Sequence, residues 1–131
     1  MVLVDTSVWI DFLSGRNNWA SNCLKQKLAS REAVAYIDLI LLEIVQGLRN
    51  SFDRSKIEAD FGKLIILPQN RSSIMFAADI YKGLQRNGIQ IRSITDCLIA
   101  AIAMEFGATV LHRDRDFSYI ADHYPLEIET E

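Results

Sequence analysis

Met1-Val2-Leu3-Val4-Asp5-Thr6-Ser7-Val8-Trp9-Ile10 begins as an apolar run, meets a single acid, and continues into a helix-compatible segment. A short apolar run followed at once by a helix reads as the first strand and first helix of an α/β unit, with the acid at the strand's carboxyl end. The pattern returns near the far end of the chain, where Ala108-Thr109-Val110-Leu111 runs through His112-Arg113 into Asp114. Between these two landmarks, strands are expected at Ala33 to Ile37 and Leu64 to Leu67, and a fifth follows at Leu126 to Ile128. Helices are expected at Thr6 to Leu13, Trp19 to Ala29, Leu39 to Leu48, Arg54 to Phe61, Ser73 to Arg86, Thr95 to Phe106 and Phe117 to Asp122. Asn87-Gly88 and Gly107 supply helix stops, and Pro68 ends its strand. Strands separated by helices predict a parallel five-stranded sheet flanked by helices on both faces. Ligands of such sheets bind outside the carboxyl ends of the strands, where Asp5 and Asp114 fall.

The chain has 131 residues, which suits one domain spanning 1–131 and leaves no room for a second core. A hydrophobic share of 50% with mean hydropathy +0.09 fits strands buried on both faces, or an apolar surface given to a partner. No apolar run reaches the roughly 18 residues of a membrane span, and no basic segment precedes a cleavable apolar stretch, so a cytoplasmic location is expected. Cys23 and Cys97 lack metal-ligand spacing and read as free buried thiols. The net charge is −3, from 14 basic and 17 acidic side chains. If Asp5, Glu43, Asp96, Asp114 and Asp116 are set aside as one pocket, 14 basic side chains face 12 acidic ones, a balance permissive for a nucleic acid. Basic residues group as Lys25, Lys27 and Arg31, as Arg49, Arg54 and Lys56, and as Arg113 and Arg115; solvated helix faces explain such groups equally well.

Four acids stand in or beside apolar segments, where an unpaired carboxylate is costly unless it protonates, pairs or binds metal. Each also has a plain structural reading. Asp5 sits where a helix cap would, ahead of Thr6 and Ser7. Asp96 lies in a helix first turn, where the dipole favours a carboxylate by roughly 0.3 to 1 kcal/mol, although its shared face with Ala100 and Ala103 would turn it toward the sheet. Glu43, flanked by Leu39, Leu42, Ile44 and Val45, has no cap to fill, and its bland alternative is a narrow polar stripe with Gln46. Asp114 and Asp116, interleaved with Arg113 and Arg115, read otherwise as a charged turn, with Asp116 capping a helix from Phe117. One shared cation explains all four positions at once.

In Val4-Asp5-Thr6-Ser7-Val8-Trp9-Ile10, in the isolated Glu43 followed by Gly47, in Thr95-Asp96-Cys97-Leu98-Ile99-Ala100-Ala101 and in Leu111-His112-Arg113-Asp114-Arg115-Asp116-Phe117, the chain resembles a PIN-domain ribonuclease of the VapC toxin type. The resemblance spans nearly the whole chain. It implies a PIN-like α/β domain, a magnesium- or manganese-dependent endoribonuclease, a homodimer, and a cognate antitoxin that blocks the site. By position, Asp5, Glu43, Asp96 and Asp114 look like the family's acidic quartet, with Asp116 and Ser7 as accessory groups. His112 departs from the pattern, since the family commonly has Thr or Ser two residues before the acid matched by Asp114. A lone histidine at a strand end is more often structural than catalytic, and that reading is preferred. Magnesium takes oxygen ligands and usually binds through one or two carboxylates plus substrate phosphate. Asp5, Asp96 and Asp114 are the expected ligands of one ion or two, with Glu43 orienting or deprotonating the attacking water.

Two other classes compete. Phosphoaspartyl enzymes also place Asp at strand ends, but Asp5-Thr6-Ser7 lacks a second Asp two residues on, and no acidic pair follows the first strand as in receiver domains. A non-catalytic binding module would keep the fold and only dock an antitoxin-like helix. Trp9, Phe12, Trp19 and the apolar helix from Leu39 read first as core, and otherwise as a groove for such a helix or a dimer contact.

Overall fold

The computed structural model describes residues 1–48 and 51–131. In chain order the elements are β1 (Val2–Val4), α1 (Thr6–Leu13), α2 (Trp19–Ala29), β2 (Val34–Tyr36), α3 (Asp38–Gln46), α4 (Ser51–Phe61), β3 (Ile65–Ile66), α5 (Arg71–Arg86), α6 (Ile94–Phe106), β4 (Thr109–Leu111) and α7 (Arg115–His123). The strands form one parallel sheet in the order β3-β2-β1-β4. Every residue of β1 and β2 is buried, so both faces of the central strands are covered, as their unbroken apolar composition demands. The most extensive helix–helix contacts fall in two groups, α1 with α2 and α3, and α5 with α6 and α7.

Local chemistry sets the element ends. Asn18 caps α2 by accepting the Ser21 backbone N–H at 2.9 Å, while the Ser21 hydroxyl accepts the Asn18 backbone N–H at 3.0 Å. Gly107 closes α6 in the left-handed conformation with φ of 65°, which a residue bearing Cβ adopts at a cost. Within α6 every side chain from Asp96 to Ala103 is buried, and the small Ala100 and Ala103 are fully enclosed. Trp9 belongs to the core. Its ring lies 4.7 Å from Phe61 of α4, which in turn meets Tyr36 of β2 edge-on at 4.9 Å.

Among the described residues the sheet has four strands where five were expected. The segment Leu126–Ile128 contributes a single bridge, Val110 to Ile128, closed by Val110 N–H to Glu127 O and Glu129 N–H to Val110 O, each 2.9 Å. Backbone groups in a strand face alternate sides. Thr109 and Asp5 donate across the β1–β4 seam, to Met1 O and Leu111 O at 3.0 Å, so Thr109 and Leu111 face β1. A three-residue strand then has only Val110 left to offer an outer neighbour. Three helix starts also moved by two residues or more: α4 begins at Ser51, α5 at Arg71 and α7 at Arg115, so Asp116 lies inside the first turn of α7 and Asp114 is its cap. Cys97 is buried as expected, whereas Cys23 is only half-buried. Arg49, grouped above with Arg54 and Lys56, lies outside the described residues.

Candidate metal centre

Because β1 and β4 are adjacent and parallel, their carboxyl ends open on the same side, which brings the segments carrying Asp5 and Asp114 together. Asp5 occupies the cap position of α1, yet its side chain makes no cap hydrogen bond; it accepts the Ser7 hydroxyl at 2.7 Å. Burial raises its pKa above the usual carboxylate value, with the neighbouring charge of Asp114 adding to the rise and the Ser7 hydroxyl opposing it.

Asp96 enters from the first turn of α6, and there the strain is greatest. Its Oδ2 is buried with no hydrogen-bond partner among the described residues. Burial, followed by the charges of Asp5, Asp114, Asp116 and Glu43, pushes its pKa up to about 8. A helix-dipole role leaves that orphaned oxygen unexplained. Glu43 projects from the middle of α3 with Oε1 likewise buried and without a close hydrogen-bond partner among the described residues, and burial together with the Asp5 charge raises its pKa, opposed by the nearby Thr6 hydroxyl. Gln46, its proposed companion in a polar stripe, is exposed.

Asp114 caps α7 by accepting the Asp116 N–H at 3.0 Å, and Asp116 is 1% exposed. Asp96, Asp114 and Asp116 each offer a ligand oxygen, and the three atoms lie within 4.8 Å of one another. The tightest group of acids therefore contains Asp116, expected only as accessory, whereas Asp5 and Glu43 stand at its border through their charge. Hard oxygen donors gathered at this spacing, with two buried oxygens unpartnered, fit a divalent cation of the magnesium or manganese type.

Residues 2–123 match the family model of the PIN domain. The chain belongs to the PIN-domain family. Ribonuclease VapC11 of Mycobacterium tuberculosis is 34% identical to this PIN domain over 123 residues, 92% of each chain. Two solved structures share its fold at 20% identity: VapBC2 from Rickettsia felis bound to a promoter DNA fragment, with TM-score 0.76 over 98% of each chain, and VapBC-1 from nontypeable Haemophilus influenzae, with TM-score 0.75 over 98% of this chain and 97% of that one.

The PIN domain also uses two groups that the sequence did not single out. Asp11 is 3% exposed and accepts from Asn18 Nδ2 at 2.9 Å and from the Arg113 guanidinium, with Arg16 at 3.8 Å. It thereby ties α1 to the loop that carries Asp114. Arg92 reaches the acids themselves, its Nη2 donating to Asp114 Oδ1 at 2.8 Å. His112 lies against Phe117 with ring centroids 5.0 Å apart, and burial lowers its pKa, which favours the neutral ring.

Proposed function

We propose that this PIN domain is a divalent-metal-dependent endoribonuclease and the toxin half of a toxin–antitoxin pair. The observation that carries the reading is Asp96: a buried carboxylate with an orphaned oxygen and a pKa pushed up to about 8 is costly unless a cation completes it. Its similarity to a named VapC ribonuclease over 92% of both chains supports the same reaction class.

Asp96, Asp114 and Asp5 would hold the ion, with Asp116 as a further oxygen donor and Ser7 fixing the Asp5 carboxylate. When bound, magnesium or manganese supplies Lewis-acid polarisation of the scissile phosphate. Glu43, half-buried with a raised pKa, is suited to take a proton from water at neutral pH. Asp11, through Arg113, holds the Asp114 loop in place.

Two surfaces suit protein partners. A cavity of about 640 Å³ is lined by Trp9, Phe12, Leu13, Ile57, Phe61 and Leu64, with Arg31, Glu32, Asp60 and Lys63 also on its walls. An apolar groove with charged edges fits an amphipathic antitoxin helix. Separately, the half-exposed Ile74 and Ile94 line a cavity of about 240 Å³ with Leu39, Ala77 and Leu98, and Leu42 and Met75 are also more than half exposed. An apolar patch of this kind suits a second copy of the chain.

The deciding experiment incubates pure protein and the D96N variant with total cellular RNA, in magnesium or manganese and in chelator, and maps new ends by sequencing. Metal-dependent cuts absent from D96N are expected. Retained cutting by a folded D96N would overturn the assignment of Asp96, and absence of both cuts and manganese binding in the antitoxin-free protein would leave a binding module.

A further inference from the structure

Arg92 lies just ahead of α6, and three contacts bind it to the acids. Its backbone N–H donates to Asp116 Oδ2 at 3.1 Å, its Nη2 donates to Asp114 Oδ1 at 2.8 Å, and its Nε stands 3.7 Å from Asp116 Oδ2. Among the described residues it is the only cation in ion-pair contact with any of Asp5, Glu43, Asp96, Asp114 and Asp116. The guanidinium thus sits on two of the three carboxylates whose oxygens gather within 4.8 Å. A divalent ion at that group would share those oxygens with a neighbouring positive charge, so the two cations oppose one another.

The contacts differ in permanence. The Arg92 side chain is 64% exposed, and an ion pair so open to water is weak and readily exchanged. The backbone bond to the buried Asp116 does not involve the guanidinium and holds the residue at the rim when the side chain leaves. A guanidinium freed at the lip of a metal centre has the planar fork that grips a phosphate through two oxygens.

Resting on the nuclease reading above, we propose that Arg92 is a built-in counter-ion of the metal-free site, displaced from Asp114 by the incoming divalent ion and thereby handed to the RNA backbone as a phosphate-binding group. The test titrates manganese into chelator-stripped wild type, R92Q and R92K by calorimetry, and then measures RNA cleavage at saturating metal. R92Q should bind manganese roughly two- to fivefold more tightly than wild type, as expected for losing a weak competing ion pair, with R92K in between. At saturating metal R92Q should show its loss mainly as a several-fold higher KM for RNA, largely restored in R92K. Equal or weaker manganese binding by R92Q would overturn the counter-ion role, and an unchanged KM would overturn the transfer to phosphate. If wild type itself binds no manganese, the nuclease reading falls together with this one, which distinguishes the two failures.

Discussion

Asp96 concentrates the chemistry of the site in one proton. Its pKa rises from 3.8 in the unfolded chain to about 8 in the fold, so between those values the folded state binds the proton and the unfolded state does not. Stability then falls as pH rises through that window, by up to about 1.4 kcal/mol per pH unit for a single group. Asp5 and Glu43, also raised, act with the same sign. Thermal denaturation of chelator-stripped protein should therefore show a melting temperature that declines from pH 5 to pH 8, with a shallower decline in D96N. A profile rising across that range would contradict the burial of an uncompensated carboxylate. Manganese affinity should strengthen with pH over the same window, because the bound proton must leave. This much was legible in the sequence, since an acid opening a long apolar run is conspicuous. Asp11 was not: it sits mid-helix among ordinary neighbours, and its partner Arg113 lies 102 residues away in the chain. Arg92 was missed for the same reason, its carboxylates being 22 and 24 positions downstream.

At the scale of elements, the seam between α1 and the β4–α7 loop governs where Asp114 points. D11A strands the Arg113 and Asn18 donors and should cost about 1–3 kcal/mol, read as a lower urea midpoint. If Asp11 positions the loop, the same variant should bind manganese less tightly while keeping its helical signal. Intact manganese affinity would reduce Asp11 to a stabilising residue only. Apolar strand runs and glycine helix stops made most elements legible, with β1, α1, α2 and β4 falling where expected. The fifth strand was overestimated because apolar alternation in Leu126-Glu127-Ile128 reveals nothing about how many backbone groups β4 leaves free. The start of α7 was misplaced because two acids could each cap it, and only geometry shows that Asp114 does.

For the molecule as a whole, sequence motifs disclosed the family, while the division of apolar residues between core and partner surface required the folded chain. Trp9 reads correctly as core, but Leu42 from the same shortlist is 62% exposed. If the face around α5 joins two copies, I74E combined with M75E should yield a monomer by light scattering at concentrations where wild type is a dimer, without loss of fold. A wild type that is monomeric throughout would remove that surface from consideration. The parallel seam between β1 and β4 has a further consequence, in time. Val2 pairs with Val34 on one side and with Thr109 on the other, so the first strand made waits for the last to complete its second edge, and Asp5 lacks Asp114 until more than a hundred residues have followed it. At roughly 5–20 residues per second that delay is several seconds or more. If these acids hold the ion, a chain still being made cannot assemble the site before Asp114 has been added.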